Sequence, residues 1–480
     1  MIQVRPIVLT IGILLCVLAT AMLVTAAVAA LYGATDWPVF LTCAGFTVFA
    51  GGLMISVGYG ERPTGLGVRE GFLLTAMSWV FVAGFAAVPF MGLGLTYTDA
   101  YFEAISGLTT TGSTVIIGLD HLPQGVLLWR ALLQGIGGLG IVVMAILILP
   151  YLRIGGMQLF QTESSDRSEK VLPRAAELVS SITIVYVGLL ALCTLLFFVL
   201  GMSLFDAVCH SLATISTGGF STHDTSFGYF NSPALEVTAT IFMALGAMPF
   251  VVFIKATHGN FGAIWNDAQV RGFVRFLVVT SVVLAIWLSI TRNVGFFDAL
   301  LATAFNVTSI VTTTGFANTD YMLWGPFAVG MFFVLTFVGG CSGSTAGGIK
   351  IYRLQMASML SRGYLVQLIS PHRINSLLFN GRRVPEDVPF AVVAFLAMYM
   401  GSVGVVMVIL TGLNLDFVTS LSAAATAIGN VGPGLGDVIG PAGNFATLPA
   451  GAKWALSAAM LLGRLELFTV LVLFRREFWQ

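Results

Sequence analysis

Four short stretches of this chain run through small or hydroxyl residues into glycine: "DAYFEAISGLTTTGS" from Asp99, "DAVCHSLATISTGGFS" from Asp206, "DALLATAFNVTSIVTTTGFANTD" from Asp298 and "DFVTSLSAAATAIGNVGPGLGD" from Asp416. None of them holds a nucleophile, base and carboxylate set. What they offer is backbone. Glycine takes angles closed to other residues, so it can turn carbonyl oxygens toward an axis, where they replace part of a cation's hydration shell. Gly112, Gly219, Gly315 and Gly432 lie 107, 96 and 117 residues apart, an internal period that points to duplication and divergence.

The second glycine has a neighbour, Gly218. Gly219 is preferred because it reproduces the 13-residue interval from Asp99 to Gly112 and aligns "GGF" with the "TGF" at Gly315. Each Asp is expected to cap a short helix, whose negative C-terminal end then favours a cation beside the glycine. The longer intervals in the third and fourth stretches, 17 and 16 residues, predict that these two helices begin about a turn earlier.

These segments need a frame, and composition supplies its nature. With 480 residues, 57% hydrophobic and 9% charged, the chain has too little polar surface to coat a soluble globule. Apolar runs of roughly 20 residues fit helices that cross a bilayer, not the alternating segments of about 10 in a membrane barrel. Spans are predicted near 7–31, 37–58, 71–92, 126–150, 180–201, 235–254, 273–291, 325–369 (interrupted), 391–412 and 454–474. The first apolar run, Ile7 to Leu31, exceeds the roughly 7 to 15 residues of a signal-peptide core and is read as a retained span.

Charge orients these ten crossings. Eighteen of the 22 basic residues fall in the two tails and alternate loops, placing both termini in the cytoplasm. Half of the 22 acids fall on the opposite face, among them Asp99, Glu103, Asp120, Asp206, Asp224 and Asp416. Either they are left there by the positive-inside bias or they form a mouth that concentrates cations.

The organisation that follows is two extra spans in residues 1–69 and four units of span, short re-entrant helix and span: 70–150, 151–256, 257–389 and 390–480. Two crossings per unit give every copy the same orientation. Four copies can therefore close around an axis along the membrane normal, whereas inverted repeats need opposed copies. The fold expected is all-α and polytopic, with a pseudo-fourfold ring of short helices around a central ion pore.

Two further features stand out. The eighth span is interrupted by "GGCSGSTAGGIK": Gly339, Gly340, Cys341, Ser342, Gly343, Ser344, Thr345, Ala346, Gly347, Gly348, Ile349 and Lys350. Non-helical backbone at membrane depth is tolerated only when buried in protein or lining water, so this stretch is expected to form a loop beside the pore and act as its gate. A plain helix kink is the competing reading. Arg464 lies near the middle of the last span, roughly 15 Å from either end at 1.5 Å per residue, and needs a cavity or a partner. Its alternatives are a gate role and a packing salt bridge, with Glu466 as a candidate although positions two apart do not share a helix face.

Other motifs carry less. "GIGGLG", Gly135 to Gly140, lies inside an apolar span with no preceding strand, so it reads as helix packing and not dinucleotide binding. The order Gly348, Ile349, Lys350 breaks the phosphate-loop pattern. The five histidines lack zinc spacing, and the five cysteines read as buried thiols. No enzyme, organic cofactor or nucleic-acid partner is expected.

With "TTTGS", "STGGFST", "TTTGF", "GNVGPG", the interrupted span and "LLGRLEL", nearly the whole chain resembles the Trk/Ktr/HKT superfamily of potassium transporters, most of all its TrkH branch of bacterial uptake subunits. The resemblance implies that Gly112, Gly219, Gly315 and Gly432 are filter glycines, with neighbouring carbonyls from Thr111, Gly218, Thr314 and Val431. It places Arg464 below that filter, opposite the interrupted span. It implies potassium as transported substrate, an inner-membrane location, a homodimer with one pore per subunit, and a cytoplasmic TrkA-type regulatory subunit that binds NAD or ATP. Candidate docking loops for that subunit are Leu152 to Arg174 and Tyr352 to Val388. Sodium or mixed sodium/potassium uptake, and proton-coupled symport, are the alternatives; Glu466 is the only acid near the middle of a span.

Overall fold

A computed structural model describes residues 2–60, 67–147, 171–371 and 377–480. Among these, seven helices are long and apolar enough to cross a membrane: Val4–Leu31, Trp37–Gly58, Val68–Met91, Gln124–Ile146, Ala176–Val199, Ala268–Arg292 and Asp387–Gly412. The chain is an all-α polytopic membrane protein, with one minor two-stranded hairpin at Leu378–Phe379 and Arg382–Arg383. Most of these helices show much of their apolar surface to the outside, Ala176–Val199 being 22% buried, as lipid-facing helices should. Gln124–Ile146 is the exception at 72% buried, so it is the inner helix of the set.

Two predicted spans are not straight. The one near 235–254 consists of Pro233–Gly246 and Phe250–Thr257, bent by 95°, with Pro249 at the break. The last consists of Ala450–Arg464 and Phe468–Phe474, bent by 108°. The estimate that Arg464 sits 15 Å from each end of a straight helix is therefore wrong: it is the final residue of its helix. Glu466 and Leu467 just beyond it have φ of 60° and 39°, left-handed values that break the hydrogen-bond ladder. The interrupted eighth span has helices at Pro326–Leu335 and Ile351–Ile369.

The short helices are Tyr97–Leu108, Leu204–Ile215, Phe296–Val311 and Phe417–Gly429. Asp caps only the fourth, where Asp416 accepts from Thr419 N at 3.0 Å. In the first two, Thr96 and Ser203 are the caps, and Asp99 and Asp206 sit three residues on, accepting from the capping hydroxyls at 2.8 and 2.7 Å. Only the third helix begins a turn earlier; the fourth starts 15 residues before its glycine, as the first two do. The sequence intervals misled because Asp occupies two different capping positions.

Candidate functional site

All four short helices end in the same backbone figure. Two residues before each glycine stands a residue in left-handed conformation: Thr110, Thr217, Thr313 and Asn430, with φ of 50°, 51°, 58° and 53°. The glycines follow with φ of 84°, 75°, 84° and 110° at Gly112, Gly219, Gly315 and Gly432. Gly218 has no positive φ, so in the second segment the figure centres on Gly219. A threonine at positive φ is strained, and such strain persists only where the surroundings impose it.

The surroundings here are the other three segments. A Cβ on Gly112 would collide with the carbonyl oxygen of Gly218, one on Gly219 with that of Thr314, one on Gly315 with that of Val431, and one on Gly432 with that of Thr111. The order closes: first to second, second to third, third to fourth, fourth to first. Each glycine is required twice, by its φ and by the neighbouring strand's backbone. The ring brings Thr111, Gly218, Thr314 and Val431 together with the four glycines, all buried except for the half-exposed Gly112, Gly219 and Gly315.

The interrupting stretch lies under the helix ends of this ring. Thr345 Oγ1 is 3.0 Å from Ile215 O and 2.9 Å from Gly246 O, Gly347 N donates to Thr313 Oγ1 at 2.7 Å, and Gly348 N donates to Gly429 O at 2.8 Å. The loop thus touches the ends of the second, third and fourth short helices. Its base is closed by Gly339 N to Ile349 O at 2.8 Å and Ile351 N to Gly340 O at 3.0 Å, and Lys350 Nζ turns back to Ala346 O. Cys341, Ser342, Ser344, Thr345 and Ala346 are buried. From the other side Arg464, 3% exposed, donates from Nη1 to Thr345 O at 2.8 Å. Among the described residues its Nε and Nη2 have no hydrogen-bond partner. Glu466 pairs with Arg353 at 2.6 Å, so the Arg464–Glu466 bridge is not made. Between loop and arginine remains a cavity of about 20 Å³, room for about one water, lined by Ser344, Gly347, Gly348, Lys350, Gly463 and Arg464.

The four segments meet through glycines set against one another's carbonyls, with the loop packed under three of their helix ends, and the comparisons say what kind of protein carries this arrangement. The sequence profile of the TrkH family, described as cation transport protein, matches residues 39–480. The chain belongs to the TrkH family. The Trk system potassium uptake protein TrkI of Halomonas elongata is 45% identical over 422 residues, covering 87% of this chain and 85% of TrkI. TrkH of Escherichia coli K12, also a Trk system potassium uptake protein, is 37% identical over 99% of both chains. The crystal structure of the potassium transporter TrkH from Vibrio parahaemolyticus superposes with a TM-score of 0.93, at 34% identity over all of both chains. Membership places the chain among transporters and not among enzymes.

Side chains whose type and position did not announce the role brace the ring of this TrkH-family chain. Nine positions before their glycines stand Glu103, His210 and Asn306. Glu103 accepts from Thr114 Oγ1 and Val115 N at 2.9 Å, His210 Nε2 lies 3.0 Å from Ser221 Oγ, and Asn306 Nδ2 donates to Asn318 Oδ1 at 2.5 Å. Each ties a short helix to the outer strand of its own segment. In the fourth, Ser422 does so from ten positions before, through Leu435 N at 3.0 Å.

Glu103 is one acid of the expected outer face that the structure ties down. It is fully buried against Arg130, Nε to Oε1 at 2.8 Å, while Arg130 reaches Ser221 O at 2.8 Å and so joins the first segment to the second. Asp99 is paired with Lys453 at 2.5 Å, and Glu236 accepts from Asn318 at 2.8 Å. Glu103 and Asp99 are thus neutralised by ion-pair partners, and Glu236 is held by a neutral amide. "GIGGLG" does pack helices: side chains at Gly135, Gly137 and Gly138 would collide with Leu212, Leu108 O and Ser216. Residues 152–170 of the first candidate docking loop lie outside the described residues.

Proposed function

We propose that the chain carries potassium inward across a bacterial inner membrane through the ring of glycine carbonyls, which serves as a selectivity filter. The observation that carries this reading is the closed four-step contact order, in which each glycine has room only for hydrogen because the next segment's carbonyl is there. Carbonyl oxygens so placed substitute for a hydration shell, and the helix C-terminal ends beneath favour a cation below them. The names of the relatives, Trk system potassium uptake proteins, support potassium as the ion. One glycine per segment makes a shorter filter than one with several coordinating layers, and so a weaker preference for potassium over sodium.

The loop Gly339 to Lys350 and Arg464 form the gate. The loop fills the space under three helix ends, and the guanidinium adds a positive charge where a cation must pass. The four units, 70–150, 151–256, 257–389 and 390–480, surround one pore per subunit, and residues 1–69 add two spans. The assembly is a homodimer with both termini cytoplasmic, opened by a cytoplasmic nucleotide-binding subunit of the TrkA type.

Ion flux into liposomes containing the purified protein tests this, with potassium and sodium compared in the presence and absence of a proton gradient. Potassium flux exceeding sodium flux and indifferent to the proton gradient is the expected outcome. Equal fluxes would mean mixed uptake, and flux that requires the gradient would mean symport.

A further inference from the structure

Gln134 lies on the inner helix, fully buried, beside the second segment of the ring. Its Nε2 donates to Gly218 O at 2.5 Å, and its Oε1 accepts from Phe220 N at 3.0 Å. The two bonds straddle Gly219. The amide has one workable orientation, since the flipped form would face oxygen to oxygen and N–H to N–H.

Gly218 is the odd member of its set. The equivalent positions hold Thr111, Thr314 and Val431, and the two threonines use their side chains: Thr111 Oγ1 is 2.7 Å from Thr109 Oγ1, and Thr314 Oγ1 is 2.8 Å from Thr312 Oγ1. Backbone conformation does not explain the glycine, because its φ is not positive. Space does. The three atoms nearest to a Cβ built on Gly218 are Cδ, Nε2 and Oε1 of Gln134. The amide of Gln134 occupies the place that a side chain at 218 would take.

We infer that Gln134 is a selectivity-determining positioning residue, standing in from a neighbouring helix for the side chain that the second segment lacks; this rests on the reading of the ring as a filter. It acts in two ways. Its paired bonds fix the Gly218–Phe220 backbone, which has no side chain of its own at 218 or 219 to anchor it. Its donor also takes one lone pair of the Gly218 carbonyl, whereas no side-chain donor among the described residues reaches the carbonyls of Thr111, Thr314 or Val431. Gln134 thus weakens the field that the Gly218 carbonyl presents to an ion, as Ser113 Oγ, donating to Gly432 O at 2.8 Å, does for a glycine carbonyl of the fourth segment, and the position of Gly218 O depends on Gln134.

The test compares potassium and sodium flux in proteoliposomes for Gln134→Ala, Gln134→Met, Gly218→Thr and the double variant Gln134→Ala with Gly218→Thr, with Gly315→Ser as reference. Each Gln134 substitution is expected to lower the potassium-over-sodium ratio about three- to tenfold, the effect of one or two hydrogen bonds. Gly218→Thr alone lowers it through collision, and the double variant, with the amide gone, regains most of it. An unchanged ratio in Gln134→Ala and Gln134→Met, while Gly315→Ser lowers it, overturns the inference and leaves the filter standing. An unchanged ratio in all of them, Gly315→Ser included, removes the filter reading and this inference with it. Should Gln134→Ala fail to fold, Gln134→Met, close to glutamine in volume, decides on the same outcomes.

Discussion

Arg464 Nη1 donates to Thr345 O at 2.8 Å, and the same Thr345 reaches up to Ile215 O with its hydroxyl at 3.0 Å. One loop residue thus connects the end of the last helix to the end of a short helix beneath the ring. Removing the guanidinium takes away both a hydrogen bond to the loop and a positive charge beside it. Arg464→Ala is expected to raise potassium flux through reconstituted protein by about ten- to a hundredfold, since a charged hydrogen bond is worth about 1.5–3 kcal/mol. Unchanged flux in a well-folded variant would take the gate role away from this residue.

The loop itself makes a stronger version of the same test. Its contacts with Ile215, Thr313 and Gly429 hold it under three helix ends, which a simple kink between two helix halves would not require. Deleting residues 341–347 is expected to raise flux beyond Arg464→Ala, measured in the same liposomes. If the deleted protein folds and conducts no faster than the parent, the interruption is a bend and not a plug.

Gly315 couples local strain to the ring. Its φ of 84° costs any other L-residue about 1–2 kcal/mol, and a side chain there would meet Val431 O. Gly315→Ser should therefore displace the fourth segment's carbonyl and lower both thermal stability and the potassium-over-sodium flux ratio. A conducting variant with an unaltered ratio would show that Val431 O does not face the ion.

The spans and the four glycines were legible because each leaves a local signal, a hydrophobic run in one case and a periodic small-residue motif in the other. Bends were not. The break after Arg464 is carried by Glu466 and Leu467 at positive φ, residues whose types announce nothing of the kind. Partnerships across the chain were hidden for another reason. Arg130 and Glu103 are 27 positions apart, one in a predicted span and the other in a short segment, and nothing in the sequence pairs them, yet they form a fully buried pair. Gln134 was submerged in an apolar run, and its role exists only because Gly218, 84 residues away, leaves space for it.

The outer ends of the first two segments are clasped by a titratable group. His223 Nδ1 lies 2.5 Å from Asp120 Oδ1, its Nε2 is 3.6 Å from Asp206 Oδ1, its ring stacks on Tyr229, and Asp224 Oδ1 accepts from Gly118 N and Leu119 N at 3.0 and 3.1 Å. Burial is the largest single influence on His223 and lowers its pKa, but the nearby carboxylates of Asp206 and Asp120, the latter hydrogen-bonded to the ring, together outweigh it and raise it. Asp120 is lowered in turn, first by its hydrogen bond from His223. For Asp206 burial acts upward, and the nearby His223 ring together with the hydrogen bonds from Ser203 and Thr222 carries it well below the usual carboxylate range. A histidine whose folded pKa is raised contributes stability that is full below the unfolded value of about 6.5 and is lost as pH rises through the folded value. The carboxylates stay ionised across that interval, so the histidine alone sets the slope. The melting temperature of the purified protein is expected to fall as pH rises above about 6.5, by a component that His223→Gln abolishes. An identical slope in the variant would mean that the clasp is neutral throughout and that another group titrates.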